Sequence, residues 1–278
     1  MGLRETPVRV LTGAALGLFC LGWVFFAPEP LYLALCLGFL LLATLEYRKI
    51  LGHRGLVLRP LVLFGSVLMG FSGLWFYWQG MRFQGNLAMV FAWFNPLSYA
   101  FLRTPDKKAQ AFWMLLPQAW LVGPVFLLAY IRYLPPEPLD GAKMIFWLAL
   151  VVAGNDIAAY FGGKRFGKTP LAPKISPKKT REGSAFGIFG GLFSGLALSP
   201  ELLPILAPWE VVVVVVVVVV AAQVGDLAES AFKRFGGVKD SGKILPGHGG
   251  VLDRFDALLT AIPVFYGLIY LLGLDQRW

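Results

Sequence analysis

The residues best suited to do chemistry lie in one stretch of the chain, from Gly225 to Asp256. Asp226, Glu229 and Ser230 stand at positions i, i+3 and i+4 of an apolar segment, so on a helix they share one face. A glycine-rich loop and a second apolar segment follow, with the polar residues Lys233, Arg234, Lys239, Asp240, Lys243, His248, Asp253, Arg254 and Asp256. Acids at a helix entrance with basic side chains beside them indicate a metal ion held next to phosphates.

The helices that must position these residues are predicted to cross a membrane. Of the 278 residues 57% are hydrophobic and 15% are charged, and the mean hydropathy is +0.67. Soluble domains of this length rarely reach such values, so the composition predicts an integral membrane protein. Cys20 and Cys36 lie in apolar segments without a CxxC pattern, so we expect neither a disulfide framework nor a zinc site.

Nine apolar runs are present, most of them near the ~20 residues that a bilayer crossing requires. They cover about 10–26, 31–46, 61–78, 87–102, 111–131, 144–163, 184–200, 208–229 and 255–273. The fourth is the weakest, because it is short and contains Asn95 and Pro96. The predicted fold is an all-α polytopic membrane protein with about nine transmembrane helices.

The basic residues, which give the chain a formal net charge of +9, concentrate in alternate connections between these runs. The connections are 48–59, 103–108, 164–182 and 233–254. The positive-inside rule then predicts a cytoplasmic N-terminus and places all four connections in the cytoplasm. On this topology residues 1–140 form about five N-terminal spans. Residues 141–278 form a catalytic region of about four spans with the cytoplasmic loops 164–182 and 233–254.

The loop from Lys164 to Glu182 holds seven Lys or Arg and one Glu, and it follows a span that ends in Asn155, Asp156 and Tyr160. A loop that only determines topology would need the charge alone. Three prolines, which restrict the backbone, favour a binding loop instead; they are Pro170, Pro173 and Pro177. Both interpretations stay open at this point.

A stretch at the start of this loop, residues 162–169, reads GGKRFGKT and matches the Walker A pattern G-x-x-x-x-G-K-T. That motif requires a preceding strand and a following helix. Here a transmembrane helix precedes it and three prolines follow, so we reject a nucleotide-binding P-loop.

Asp156 and Asp226 are the acids whose positions are hardest to explain without a function. A charged carboxylate at the centre of a bilayer-spanning helix costs about 2.5 to 3.5 kcal/mol on insertion scales. Both lie towards the predicted cytoplasmic ends of their helices. The alternatives are a metal site or structural ion pairs with Lys164 and Lys233, and Asp253 could simply cap the ninth helix.

His248 lies in the sequence PGHGG and is one of two histidines in the chain. It could act as a general base, although a single loop histidine more often makes only hydrogen bonds. Gly247, Gly249 and Gly250 could let backbone amides approach a phosphate, or they could serve a tight turn.

Residues 230–256, SAFKRFGGVKDSGKILPGHGGVLDRFD, resemble the signature of the bacterial phosphatidate cytidylyltransferases, also called CDP-diacylglycerol synthases. The shared pattern is S-x-apolar-K-R, then K-D, P-x-H-G-G and D-R-x-D. A second block of that family is similar to Asp156, Ala159, Tyr160, Gly163 and the segment 171–183. The N-terminal half matches only as a hydrophobic multi-span region, and the ten valines Val211–Val220 depart from the mixed helix of the family.

The resemblance implies transfer of CMP from CTP to phosphatidic acid, which yields CDP-diacylglycerol and pyrophosphate for phospholipid biosynthesis. It implies Mg²⁺ as cofactor and leaves a second cation open. The expected partners are CTP, phosphatidic acid and the lipid bilayer, with no nucleic acid; a homodimer is left open. The expected location is the inner, cytoplasmic membrane with the active site facing the cytoplasm.

The resemblance also implies roles for individual residues. The metal ligands would be Asp226 and Asp253, supported by Asp256, Glu229 or Asp156. The other catalytic residues would be Lys233, Arg234, Lys239, Asp240, His248 and Arg254. The substrate-binding residues would be Ser230, Lys178, Lys179, Thr180, Arg181, Tyr160, Gly249 and Gly250.

Two other functions fit parts of the same pattern. A CTP-dependent lipid kinase of the dolichol kinase type would use similar charges but transfer the γ-phosphoryl group. A cation-coupled transporter would place membrane acids near the midplane with access from both sides. Asp156, Asp226 and Asp253 instead group towards one predicted face, which disfavours the transporter.

Overall fold

The structure is a computed structural model that describes residues 5–56, 58–103, 107–247 and 249–277. In these residues the chain consists of helices and one short β-hairpin. The helices are α1 (Glu5–Phe26), α2 (Glu29–Gly52), α3 (Pro60–Trp78), α4 (Arg82–Arg103), α5 (Lys107–Pro117), α6 (Gly123–Arg132), α7 (Pro138–Phe166), α8 (Arg181–Leu202), α9 (Pro208–Phe235) and α10 (Leu252–Leu271). The hairpin strands are β1 (Pro170–Ala172) and β2 (Ser176–Thr180), and a 3₁₀ turn (Leu274–Gln276) follows α10.

Each predicted apolar run overlaps one continuous helical rod in the described residues. The run at 111–131 is interrupted by a π-helical turn, Gln118–Val122, which joins α5 to α6. This turn follows Pro117, whose ring supplies no N–H to the helical ladder. Local hydropathy therefore predicted where the rods lie.

Seven helical segments in the described residues are long and apolar enough to cross a membrane. They are α2, α3, the rod that ends with α6, α7, α8, α9 and α10. In α1 the apolar part is shorter, Leu11–Phe26, and α4 contains Asn86, Asn95 and Pro96. The structure confirms an all-α, multi-pass membrane protein. The count of nine crossings and the cytoplasmic N-terminus stay predictions.

A stripe of small residues on α8 lets α7 and α9 approach that helix closely. Gly183, Gly187, Gly191 and Gly195 recur every four residues and are all buried. A Cβ atom added to Gly191 would lie 2.6 Å from a methyl carbon of Val219 on α9. Such small-residue stripes are typical of membrane helix pairs, in which backbones meet at short distance.

The valine run of α9 faces this stripe with one side only. Val211, Val214, Val215, Val218 and Val219 are buried, while Val212, Val213, Val217 and Val220 are exposed. Buried positions at this spacing form one helical face. The run is thus partly core and partly surface, whereas the sequence predicted only apolar length.

Polar contacts hold the end of α9 that lies farthest from the Gly225–Asp256 stretch. Glu210, in the first turn of α9, accepts hydrogen bonds from Arg277 at 2.8 and 2.9 Å and from the backbone N–H of Ala207 at 2.8 Å. The carboxylate therefore joins the start of α9 to the segment after α10.

The basic loop between α7 and α8 is an ordered hairpin, with β1 antiparallel to β2. Thr180 caps α8, since its Oγ1 accepts from the N–H of Gly183 at 3.1 Å. Glu182 accepts from the N–H groups of Lys168 and Thr169 at 3.1 Å. The GGKRFGKT stretch begins inside α7 and ends at Thr169, just before β1, so a helix precedes it and a strand follows it, the reverse of the strand and helix that flank a P-loop.

Candidate active site

A cavity of about 600 Å³ lies between α7, α8, α9 and the hairpin. Its polar lining residues are Asn155, Asp156, Tyr160, Lys164, Ser176, Lys178, Lys179, Thr180, Ser184, Gln223 and Asp226. The predicted site residues among them come from three separate parts of the chain: Asp156, Tyr160, Lys178, Lys179, Thr180 and Asp226. The hairpin thus places its lysines over acids that project from the membrane helices.

Asp226 of α9 forms an ion pair with Lys179 of β2. About a third of each side chain remains exposed to solvent, 33% for Asp226 and 30% for Lys179. Lys164, predicted as an alternative partner for these acids, also lines the cavity. The Lys179 pair joins the two segments that sequence similarity had singled out independently.

Asp156 and Asp256 lie near enough to Asp226 to interact with it electrostatically. Asp156 lies on α7, Asp256 on α10 and Asp226 on α9. The close approach of α9 and α10 follows from Gly225, where a side chain would collide with Thr260. Three carboxylates gathered in this way repel one another unless cations lie between them.

A chain of hydrogen bonds orients Asp156. Its Oδ1 accepts from the amide of Asn155 at 2.9 Å, and Asn155 accepts from Nε2 of Gln223 at 2.7 Å. Gln223 in turn accepts from the hydroxyl of Ser184. The chain crosses α7, α9 and α8 beside Gly187, where a Cβ would collide with Asn155. These amides fix the carboxylate relative to Asp226.

Replacing Gln223 with leucine is expected to lower turnover about 10- to 100-fold, because Asp156 is a predicted metal ligand and the loss of groups that orient such ligands has effects of this size. Leucine fills a similar volume but cannot hold Asn155 and Ser184. Steady-state rates of the purified variant measure the effect. Ser176→Ala is the control, because Ser176 lines the cavity but takes no part in this chain of hydrogen bonds. We expect this variant to change the rate less than threefold. Roughly equal losses of rate in the two variants would contradict the orienting role of Gln223.

A second polar cluster lies at the C-terminal end of α9. Lys233 forms an ion pair with Glu229, which is fully buried, and donates to Oδ1 of Asp253 at 2.7 Å. Apart from the ion pair, neither carboxylate oxygen of Glu229 accepts a hydrogen bond from the described residues. Lys233 therefore serves as counterion to two buried acids in this structure.

Asp253 is held by the loop as well as by Lys233. Its Oδ2 accepts from the N–H of Gly250 at 2.8 Å and of Ser241 at 2.9 Å. Gly249 has a φ of +84°, a left-handed conformation that favours glycine. Asp253 thus closes the loop on itself, and the amide of Gly250, predicted to approach phosphate, binds this carboxylate.

The remaining predicted residues lie outside the cavity lining. Arg234 donates to the carbonyl of Ile175 in the hairpin and to that of Val238, both at 3.2 Å. Ser230 is partly buried. The exposed residues are Lys239, Asp240, Arg254 and Arg181. His248 falls outside the described part of the chain, so its role as a base stays a prediction.

The donor set of the cavity fits a Mg²⁺ ion bound together with phosphates. Among the described residues no three His, Cys, Asp or Glu side chains group closely enough to hold a metal by themselves. Mg²⁺ typically takes one or two protein carboxylates and completes its octahedron with water and substrate oxygens. Asp156 and Asp226 supply two carboxylates to one cavity, and Glu229 retains acceptor capacity.

Sequence reasoning missed three residues of this region: Gln223, Ser184 and Glu46. Gln223 lies three residues before Asp226 in an otherwise apolar segment, so helical spacing could have placed it on the same face. Glu46 ends the second apolar run and is 1% exposed, with contacts to the loop before α10. An acid within a predicted span is itself a signal.

The fold and the cavity define a multi-pass membrane protein with a polar site between its helices. The sequence model of the cytidylyltransferase family matches residues 7–272 of this chain. The chain belongs to the cytidylyltransferase family.

Several curated relatives carry the name phosphatidate cytidylyltransferase, and three of them show the extent of the similarity. The protein from Mycobacterium leprae is 31% identical over 287 residues, which cover 97% of this chain and 89% of the relative. The Pseudomonas aeruginosa protein is 49% identical over 138 residues, 47% of this chain and 48% of the relative. The Bacillus subtilis protein is 44% identical over 132 residues, 47% of this chain and 49% of the relative.

Proposed function

We propose that the protein transfers CMP from CTP to phosphatidic acid, giving CDP-diacylglycerol and pyrophosphate. The observation that carries the proposal is the cavity in which Asp156 and Asp226 face Lys164, Lys178 and Lys179, in a chain that the cytidylyltransferase family matches from residue 7 to residue 272. Acids for a metal and lysines for phosphates in one cavity match the needs of a reaction between two polyanions.

In this reaction an oxygen of the lipid phosphate attacks the α-phosphorus of CTP. The bond from that phosphorus to the bridging oxygen of the β-phosphate breaks, and pyrophosphate leaves. A phosphate monoester has a second pKa of about 6, so the nucleophile is largely a dianion at neutral pH and needs no strong base. The difficulty is electrostatic, because an anion must approach an anion.

Two lysines of the hairpin and one at the end of α7 address that difficulty. Lys178, Lys179 and Lys164 line the cavity and place three positive charges where phosphate oxygens would lie. Lys179 is paired with Asp226. If a substrate phosphate replaced this carboxylate as the partner of Lys179, the positive charge of the lysine would stabilise the substrate. Fixed cations that stabilise the leaving pyrophosphate accelerate such transfers.

A bound Mg²⁺ would neutralise phosphate charge and help to align the two substrates. Asp226 and Asp156 would hold it, with Asp256 and Glu229 close by. Asp253, also predicted as a ligand, has both oxygens engaged by Lys233 and the loop. It would reach a cation only by exchanging one of these contacts.

The location of the site suits a lipid substrate. The cavity lies where α7 and α9 approach their C-terminal ends, beside the hairpin that forms the basic loop between α7 and α8. We infer that this end faces the cytoplasm of a bacterial inner membrane, as the positive-inside rule predicts. CTP would then arrive from the cytoplasm and phosphatidic acid from the bilayer.

One labelling experiment tests the proposal and its nearest alternative. Detergent-purified protein is incubated with Mg²⁺, phosphatidic acid and CTP labelled at either the α- or the γ-phosphate, and the lipid phase is then extracted. We expect lipid-phase label only from α-labelled CTP. Label from γ-labelled CTP with a lipid alcohol would indicate a kinase instead, and folded protein that transfers neither label would overturn both.

A further inference from the structure

Glu46 is a buried acid in the N-terminal half of the chain that the reaction chemistry does not explain. It lies on α2, six residues before the end of that helix, and its side chain is 1% exposed. Burial of a carboxylate in such a place is strongly unfavourable unless the group is paired or fully hydrogen-bonded. The hydrogen-bond partners of Glu46 therefore indicate its role.

In the part of the chain that the structure describes, the hydrogen-bond donors to Glu46 lie in the loop that precedes α10 and at the first residue of that helix. Oε1 accepts from the N–H of Val251 at 2.9 Å, and Oε2 accepts from the N–H of Leu252 at 2.8 Å and from the hydroxyl of Ser241 at 2.9 Å. The N–H groups at the start of a helix have no acceptor within it. Glu46 thus caps α10 from a helix that lies 205 residues earlier in the chain.

The same loop residues are held from the other side by Asp253. Ser241 donates its hydroxyl to Glu46 and its N–H to Asp253, while Gly250 donates to Asp253 and Val251 to Glu46. The two ends of this loop, at Ser241 and at Gly250–Val251 (the loop base), are therefore held between the carboxylates of Glu46 and Asp253. Asp253 also binds Lys233 of α9, so the clamp extends to the polar cluster beside the cavity.

Two glycines make room for this clamp. A Cβ atom at Gly250 would lie 2.5 Å from the carboxylate oxygens of Glu46, and one at Gly242 would collide with the same group. Any side chain at either position would displace Glu46 or the loop. The glycines of this loop therefore allow the carboxylate of Glu46 to approach the backbone closely, in addition to forming turns.

We propose that Glu46 is a positioning residue: by capping α10 and clamping the loop base at Ser241 and Val251, it fixes Asp253 and the loop beside the cavity. It acts through Asp253 and does not touch substrate. This inference rests on the proposed function only where its effect is read as turnover; the clamp itself is a statement about the loop. It gives the N-terminal helices a part in the site that their hydrophobic sequence does not suggest.

The test compares Glu46→Gln with Glu210→Gln. Glutamine preserves the size of Glu46 but replaces one acceptor oxygen with an NH₂ group, so one N–H at the start of α10 loses its acceptor. Glu210 is 2% exposed and also accepts a hydrogen bond from a backbone N–H beside the start of a helix. It lies at the end of α9 that is far from the cavity. Both substitutions should lower the unfolding temperature, which makes the second a control for general destabilisation.

We expect Glu46→Gln to lower kcat about tenfold and to raise the KM for CTP several-fold, an effect of the size seen when a group that orients the residues of a site is lost. Glu210→Gln should leave the KM and the rate per folded molecule within about twofold of wild type. A loss of folded protein lowers the rate but leaves the KM unchanged. A wild-type KM and a wild-type rate per folded molecule in Glu46→Gln would therefore overturn the inference.

Ser241→Ala provides a second variant that retains the backbone contact with Asp253. It removes one of the three hydrogen bonds of Glu46, so its KM should shift in the same direction by a smaller factor. If the wild type transfers no CMP, the proposed function fails and hydrogen exchange decides alone. Faster exchange of the 250–252 amides in Glu46→Gln than in Glu210→Gln would uphold the clamp, and equal exchange would overturn it.

Discussion

Replacing Asp226 with asparagine is expected to lower the rate of CMP transfer by about 10³-fold or more, while the protein still folds. Asparagine has the same shape but no charge, so it removes one of the two cavity carboxylates that would hold Mg²⁺. It also releases Lys179 from its ion pair. The labelled-lipid assay at saturating CTP and Mg²⁺ measures the loss, and gel filtration with thermal unfolding reports folding.

Asp140→Asn is a matched control for this prediction. Asp140 is also in a helix, forms a 2.9 Å ion pair with Lys143 and is exposed to 30%, close to the 33% of Asp226. It lies at the other end of α7 from Asp156. Its loss should change the rate less than threefold, because partly exposed ion pairs contribute little. Near-normal transfer by Asp226→Asn would remove this carboxylate from the proposed metal site.

Replacing Lys233 with methionine is expected to lower the free energy of unfolding by about 3–5 kcal/mol, the usual cost of removing one partner of a buried ion pair. Lys233, Glu229 and Asp253 are exposed to only 12%, 0% and 5%. Methionine fills the space but leaves two buried acids without their cation. Denaturant or thermal unfolding in detergent measures the change.

The double variant Lys233→Met, Glu229→Gln tests the cause of that destabilisation. Neutralising Glu229 removes one of the two uncompensated charges, so part of the lost stability should return. Lys239→Met changes an exposed lysine a short distance along the chain and should alter stability by less than about 0.5 kcal/mol. Equal stability of Lys233→Met and Lys239→Met would show that the ion pairs contribute nothing.

The fold could be predicted to the level of its helices because hydropathy is a local property. Each apolar run became a rod, including the weak fourth run, which forms α4 although it falls outside the seven clearly apolar spans. Sequence alone did not predict the hairpin at 170–180. Its strands are short and proline-rich, and pairing between them adds few apolar contacts that a pattern could reveal.

The site could be predicted in its residue types but only partly in its contacts. Helical spacing placed Asp226, Glu229 and Ser230 on one face of α9, and the structure brings Asp226 together with Lys179 of the hairpin. Spacing could not show that Lys233 would pair with two acids. Long-range contacts such as that of Glu46 with Val251 depend on tertiary structure, which no local pattern encodes.

The valine run of α9 has a consequence for how this helix is kept in register. Ten identical side chains present the same surface after any shift along the helix axis, so the run itself cannot specify where α9 stops against α8. A slip by one residue would move Asp226 by about 1.5 Å and turn it by about 100°. The close contact of Gly225 with Thr260 of α10, one residue before Asp226, occurs at a single position along α9 and keeps Asp226 pointing into the cavity.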